Sequence, residues 1–314
     1  MDTIPLGKSK EKIPILGIGT WKLGADEDTT ITVIKEAISK GLRLVDTAQM
    51  YQNEVVIGKA ISNTNAFICT KVSPDNFHER SLISSCESSL RKLNAKHIDL
   101  YQLHWPNPSI KISETMRAME KLVDEGKIRY IGVSNFSVSE LEEAMGVMKK
   151  YEISSNQIEY SVLTREFGDS LESFCKSNKI TMIAYSPLAT GKLYDEKYKG
   201  VFLILSEIGL KYNKTPTQVA LNWLLQKGNI CAIPKISSIK HLNENIGALN
   251  WHLSQKDIQK IDEIGQLKAP LASRLNNVTK RMAPVWSKLM TFNESLRINK
   301  KTKKKDQEKP FEET

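Results

Sequence analysis

The chain has 314 residues, 40% of them hydrophobic and 26% charged, with 16 Gly and 11 Pro. That usage is ordinary for a globular protein and excludes collagen-like, low-complexity and wholly disordered chains. The formal net charge of +9 favours anionic ligands, but with no recognisable binding motif and no interleaved aromatics it does not indicate nucleic acid.

The elements begin with Thr3 to Ile13, which predicts a short hairpin turning at Gly7 and Lys8, suited to plugging the lower end of a barrel. Apolar, β-rich runs follow at Ile15 to Thr20, Leu42 to Thr47, Ala66 to Lys71, His97 to His104, Ile128 to Ser134, Ser155 to Ile158, Ile180 to Tyr185 and Ile230 to Lys235. Helical periodicity fills the intervals: Asp28 to Ser39, Asn53 to Ile61, His78 to Leu93, Ser113 to Asp124, Val138 to Lys150, Gly168 to Ser177, Thr217 to Gln226 and Ile239 to Ala248. Start and stop signals support several of these: Ser113 with Met116, a capping box at Ser137 and Glu140, and Gly41 and Gly126 just past helix ends. A further capped helix is predicted over Ser254 to Ile264, its apolar face made by Leu253, Ile258, Ile261 and Ile264.

Eight β-then-α units predict an α/β fold, a (β/α)8 TIM barrel with an N-terminal β-hairpin and extra C-terminal helices, because parallel strands need crossovers of this length. An open doubly wound sheet is the rival. Its dinucleotide-binding form carries Gly-x-Gly-x-x-Gly after the first strand, whereas here Gly17 and Gly19 are followed by Lys22 in the third glycine's place. The barrel domain is expected over residues 1–270, with a C-terminal extension at 271–314. Within that extension Val285 to Leu296 reads as a short amphipathic helix, and Asn299 to Thr314 as a polar, Lys-rich, disordered tail.

Cys69, Cys86, Cys175 and Cys231 match neither zinc-ligand spacing nor a disulfide framework, so free thiols and no metal are expected. No window approaches 18 consecutive apolar residues and the start lacks an apolar stretch after its charges. A soluble, cytoplasmic protein without a membrane span or signal peptide is the expectation.

In such a barrel the chemistry sits at the C-terminal ends of the strands. The predicted strands end in Asp46, Lys71, His104, Ser134 with Asn135, Gln157, Tyr185 and Lys235. Any one of these is an ordinary rim residue, but seven in register are not. Adjacent strands lie about 4.8 Å apart, so Asp46, Lys71 and His104 can converge. Tyr51 follows Asp46 by five residues. A phenol is a weak acid at neutral pH, and a neighbouring ammonium oriented by a carboxylate is expected to lower its pKa. Tyr, Lys and Asp with a hydrogen-bonding His form the set that protonating a carbonyl oxygen requires.

The segments LGIGTW (Leu16 to Trp21), VDTAQMYQNE (Val45 to Glu54), Thr70 with Lys71, DLYQLHWP (Asp99 to Pro106), GVSNF (Gly132 to Phe136), NQIEYS (Asn156 to Ser161), AYSPL (Ala184 to Leu188) and IPK (Ile233 to Lys235) resemble, in order, the aldo-keto reductase superfamily. The likeness covers roughly residues 3 to 265 and is nearest in flavour to short-loop prokaryotic members similar to diketogluconate reductases. It implies a monomeric barrel that binds NADPH across its mouth and reduces a small-molecule aldehyde or ketone. It further implies Tyr51 as general acid, Lys71 and behind it Asp46 as its partners, and His104 as the group that orients the carbonyl. For the cofactor it implies Ser134, Asn135 and Gln157 at the nicotinamide carboxamide, Tyr185 stacked on the ring, and Thr20, Ser186 and Leu188 in contact. Lys235 would face the adenosine 2'-phosphate, with Ser237, Ser238 and Lys240 assisting, and Asn245 the adenine.

The chain departs from the family pattern at Ile236 and His241, where Ser and Arg are common. Neutral His lacks the bidentate fork of Arg, so a weakened preference for NADPH over NADH is expected. Gln52 stands where Gly is frequent after the Tyr. Trp21 and Trp105 are expected to line an apolar substrate pocket. The competing reading is a nicotinamide-sensing binding module resembling a channel beta subunit, which can keep the same four residues. A lyase or isomerase barrel would need a phosphate site or metal carboxylates that the sequence does not offer.

Overall fold

Apolar runs alternating with amphipathic stretches are satisfied together when the runs form a parallel sheet and the stretches pack outside it. The computed structural model describes residues 1–165 and 168–265 and has this arrangement. A hairpin of β1 (Thr3–Pro5) and β2 (Lys12–Pro14) precedes eight parallel strands: β3 (Ile18–Gly19), β4 (Leu44–Asp46), β5 (Phe67–Val72), β6 (Ile98–Leu103), β7 (Ile128–Ser134), β8 (Ile153–Glu159), β9 (Thr181–Tyr185) and β10 (Ile230–Ile233). Around them lie α1 (Glu27–Ser39), α2 (Glu54–Ile61), α3 (Glu79–Leu93), α4 (Ile112–Asp124), α5 (Val138–Val147), α6 (Gly168–Ser177), α7 (Lys199–Tyr212), α8 (Pro216–Leu225), α9 (Ile239–Ile246) and α10 (Gln255–Gly265).

The ends of the sheet meet. Gly17 donates its N–H to the Ala232 carbonyl and Ala232 returns one to Ile15, both at 2.8 Å, while Gly19 donates to Pro234 at 3.0 Å. A Cβ on Gly19 would lie 2.6 Å from the Ile233 oxygen, so closure needs glycine there. The result is the expected barrel.

The hairpin plugs the end opposite the strand C-termini. Its Ile4, Leu6 and Ile13 pack with Leu44, Phe67, Leu100, Ile183 and Ile233 inside the barrel. Burial of Leu6 and Ile13 stabilises by about 2 kcal/mol each. The Gly7 N–H donates to Thr181 Oγ1, which in turn donates to the Pro5 carbonyl, both at 2.8 Å. Gly7 has φ +59°, and a Cβ would meet Ser154 Cα at 2.9 Å, so both conformation and space demand glycine. Glu11 adds ion pairs to Arg43 at 3.0 Å and Arg129 at 2.8 Å.

Several local expectations need correction. The helix placed at Ser113 starts at Ile112 after Lys111, with no side-chain cap, so Ser113 lies within the first turn and Met116 is a core residue. Helix α5 keeps its Ser137–Glu140 capping box but stops at Val147, not Lys150. The cause is Glu120, whose Oε1 accepts the N–H groups of Lys149, Lys150 and Tyr151 at 2.9, 2.6 and 3.1 Å. Helix α7 has no counterpart in the sequence reading. Its near-continuous apolar run buries Val201, Leu203, Ile204, Leu205 and Ile208, and such a run masks helical periodicity.

The four cysteines are free and buried. No helix among the described residues is long and apolar enough to cross a membrane. The readings of Val285 to Leu296, of Asn299 to Thr314 and of a boundary after 270 lie outside the described residues.

Candidate active site

Strand β4 ends at Asp46, and the chain then makes a 3-10 turn over Gln49–Tyr51, with the Tyr51 N–H donating to the Ala48 carbonyl at 3.0 Å. Gln52 exits the turn in the left-handed region (φ 55°, ψ 23°), which explains why glycine is common there. Parallel registers then bring Lys71 near the end of β5 and His104 just past β6 to the same rim. Lys71 is fully buried, and its Nζ donates to Asp46 Oδ2 at 2.5 Å and to the Thr47 carbonyl at 2.8 Å. The same ammonium is 5.1 Å from the centroid of the Tyr51 ring, and that ring meets His104 edge-on at 5.8 Å. The structure thus gathers Asp46, Tyr51, Lys71 and His104 around one point of the mouth.

Electrostatics assigns a state to Lys71, Tyr51 and His104. Burial alone would discharge Lys71, but Asp46, together with Tyr51, outweighs it and holds the ammonium pKa above its usual value. Burial is also the largest influence on Tyr51 and raises its pKa despite the opposing pull of Lys71. This corrects the expectation of a lowered phenol pKa. The lysine does favour the phenolate, yet the buried site disfavours it more. Burial, aided by the charge of Lys71, pushes His104 down to about 3, so the imidazole is neutral. Its Nδ1 is buried and has no hydrogen-bond partner among the described residues. An unpaired acceptor is the cheaper orphan, which leaves the ring proton on Nε2.

A second shelf continues from His104. Asn135, at φ +61°, donates from Nδ2 to the His104 carbonyl at 3.1 Å and to Ser134 Oγ at 3.0 Å. Its Oδ1 accepts from the Tyr185 hydroxyl at 3.0 Å. Gln157 is buried, and its Nε2 donates to Asp46 Oδ1 at 2.8 Å. Ser186 and Leu188 follow β9 half-buried, Ser186 at φ +47°. Thr20 is buried beyond β3, its N–H donating to the Asp46 carbonyl at 3.0 Å.

Lys235, Ser237 and His241 form a separate group around the start of α9, and Asn245 lies buried near the end of that helix. Lys235 is exposed, Ser237 Oγ is 2.9 Å from His241 Nδ1, and Ser238 caps the helix by accepting the His241 N–H at 3.1 Å. Trp21 and Trp105 sit exposed beside Thr20 and His104, and the exposed Met50 precedes Tyr51. The rings of Trp105 and His104 are 4.7 Å apart. No group of three His, Cys, Asp or Glu suited to a metal ion occurs among the described residues.

Two site residues escaped the sequence reading. Gln102, fully buried in β6, donates to Asp46 Oδ1 at 3.2 Å, so three cationic or amide donors converge on that carboxylate. The signal was available: a polar residue inside the otherwise apolar run LeuTyrGlnLeu. Asn53, buried before α2, ties neighbouring loops together.

Residues 15–266 match the model of the aldo/keto reductase family. The chain is 37% identical over 272 residues to a glyoxal reductase of Bacillus subtilis (strain 168), covering 84% of this chain and 93% of that one. It is 35% identical over 260 residues to a methylglyoxal reductase of Escherichia coli (strain K12), covering 80% and 90%. A crystal structure of an aldo-keto reductase from Klebsiella pneumoniae in complex with NADPH superposes with a TM-score of 0.78 at 31% identity, covering 85% of this chain and 97% of that one. With three polar strand-end residues and a loop tyrosine converged at the mouth of a closed barrel and this likeness along nearly its whole described length, the chain is an aldo-keto reductase, a member of the aldo/keto reductase family.

Proposed function

We propose that this protein reduces small aldehydes and ketones, 2-oxoaldehydes among them, to alcohols with NADPH, and that Tyr51 is the general acid. The observation that carries the reading is the buried Lys71 ammonium, held by Asp46 at 2.5 Å and lying 5.1 Å from the Tyr51 ring. Thr20 Oγ1 and Asn245 Nδ2 are buried without a hydrogen-bond partner among the described residues, which leaves each of them a bond for a polar ligand to supply. Both belong to the residues that the family resemblance assigns to the cofactor. Ser134, Asn135, Gln157 and Tyr185 would hold its nicotinamide end, with Ser186 and Leu188 beside them, and Lys235, Ser237 and His241 its phosphate end. When bound, the reduced nicotinamide supplies the hydride.

The chain's own groups handle the proton and the developing charge. A phenol pKa above the ordinary value keeps Tyr51 protonated at neutral pH, as a proton donor requires. As the carbonyl oxygen gains negative charge it takes the Tyr51 proton, and the phenolate left behind faces the Lys71 ammonium. Lys71 thus acts after transfer, stabilising the product anion until solvent returns the proton. Neutral His104 donates Nε2–H to the same oxygen and fixes its orientation. Trp21 and Trp105, with Met50, give the entrance an apolar rim suited to uncharged carbonyl compounds. We read the enzyme as cytoplasmic and as a monomer, the oligomeric state that the family resemblance implies; no feature among the described residues favours the sensing-module alternative.

The test is NADPH oxidation followed by absorbance with glyoxal, methylglyoxal and an aromatic aldehyde. Tyr51→Phe keeps NADPH binding, seen by fluorescence quenching, and loses turnover by about a hundredfold or more. Near-wild-type turnover in that variant removes Tyr51 from the mechanism, and no oxidation with any carbonyl by the wild type defeats the reading itself.

A further inference from the structure

Tyr51 stands on a loop, and loops do not hold a side chain to the tolerance that proton transfer demands unless something fixes them. The loop from Thr47 to Asn53 is short of regular structure, with one 3-10 turn and a left-handed residue at Gln52. Its two ends are joined by one side chain, while Gln49 in its middle accepts the Ser73 N–H at 3.2 Å. Asn53 is 4% exposed, and Thr47 Oγ1 donates to its Oδ1 at 2.8 Å, joining the two ends of the loop that carries Tyr51. Its Nδ2 donates to the Thr20 carbonyl at 2.9 Å and the Leu23 carbonyl at 3.2 Å, which fixes the neighbouring loop that carries Trp21. The amide oxygen is therefore used within the Tyr51 loop, and the amide nitrogen binds across to the Trp21 loop. Asn53 precedes α2 in the place of an N-cap, yet its side chain makes no cap bond. The capping function typical of this residue type is given up for the loop contacts.

The residues on either side reinforce the same frame. The Thr47 carbonyl accepts from Lys71 Nζ at 2.8 Å, so the residue that Asn53 holds by its hydroxyl also holds the ammonium. Glu54, buried beside Asn53, accepts from Thr70 Oγ1 at 2.8 Å, immediately before Lys71 in the chain.

We propose that Asn53 is the positioning residue for Tyr51: its amide latches the Tyr51 loop shut at Thr47 and locks it to the Trp21 loop, setting the distance of the phenol from Lys71 and from the substrate oxygen. The proposal rests on the reading of Tyr51 as the general acid. Its consequence is specific to proton transfer. With the latch lost, the phenol samples wrong positions, and the step in which its proton moves becomes limiting.

The experiment uses the full chain in three variants. Asn53→Asp keeps the shape and the acceptor but removes both N–H donors. Thr47→Val deletes the hydroxyl while keeping the carbonyl that serves Lys71, and Thr47→Ser restores a hydroxyl. Expected is a fall in kcat of about tenfold or more for Asn53→Asp and Thr47→Val with KM for the carbonyl changed far less, and recovery in Thr47→Ser. The ratio of kcat in H2O to that in D2O rises in the two impaired variants, a readout that a loss of stability alone does not move. If Asn53→Asp does not fold by circular dichroism, the Thr47 pair decides. Unchanged kcat and isotope effect in folded impaired variants overturn the proposal. A readout free of activity separates it from the functional reading. In protein labelled with 13C-tyrosine, the ring signal absent from Tyr51→Phe identifies Tyr51. That signal shifts or broadens in Asn53→Asp and Thr47→Val if the latch positions the ring, and an unmoved signal overturns the proposal even if the wild type reduces no carbonyl.

Discussion

Lys71 Nζ and Asp46 Oδ2 are 2.5 Å apart, with side chains 0% and 3% exposed, and Asp46 Oδ1 accepts from Gln102 and Gln157. Each charge is tolerated in the barrel only because the other is there. Lys71→Met leaves a buried, unpaired carboxylate and is expected to lower stability by about 3–5 kcal/mol, measured by urea denaturation. Adding Asp46→Asn removes the charge while keeping an oxygen for the two glutamines. The double variant recovers most of the loss and stays inactive. A single variant as stable as wild type would show that the pair is not closed off from solvent.

The pH dependence follows from the states at the mouth. Tyr51, raised above its usual value, remains protonated through the neutral range, and His104, held near 3, remains neutral there. Neither group changes charge between about pH 6 and 9, so kcat for carbonyl reduction is expected to be flat across that window and to fall only at higher pH. A clear ionisation near pH 7 or 8 in the kcat profile would mean that the phenol or imidazole titrates where the geometry says it does not.

Gln52 is exposed, and its side chain makes no hydrogen bond among the described residues, so its left-handed backbone is borne without compensation. Gln52→Gly is expected to stabilise the protein by about 1 kcal/mol, the relief of left-handed strain exceeding the added freedom of the unfolded chain. Thermal unfolding of the two proteins measures the difference. A lower melting temperature would show that Gln52 contributes contacts that outweigh its strain.

At the start of α9 the exposed Lys235 stands with Ser237, Ser238 and His241, and no arginine fork is present. Lys235→Ala is expected to weaken NADPH at least tenfold, about 1.4 kcal/mol, with little change for NADH. Fluorescence titration with each cofactor tests this. Equal loss for both would place Lys235 away from the 2'-phosphate.

The barrel was legible because its signal is repeated: apolar runs of similar length, each closing on a polar residue, alternate with helical stretches. Asp46, Lys71 and His104 were found by that rule, and Tyr51 by its place in the loop between two of them. Three things were hidden for physical reasons. Helix α7 is apolar on too much of its surface to show a period. Asn53 reads in the sequence as an ordinary helix start, because its bonds run to Thr20, Leu23 and Thr47, which only the fold brings near. The direction of the Tyr51 shift is not legible, because a sequence shows that a lysine is close but not how deeply the phenol is buried, and burial is the larger effect here.

The seam between β3 and β10, stitched by Gly17, Gly19, Ala232 and Pro234, has a consequence for biosynthesis. Nothing pairs with the open side of β3 until Ile230–Ile233 has emerged from the ribosome, so a nascent chain carries bare strand edges for most of its translation. Truncation or stalling before residue 230 therefore leaves the open sides of β3 and β9 unpaired, and exposed strand edges of that kind favour aggregation.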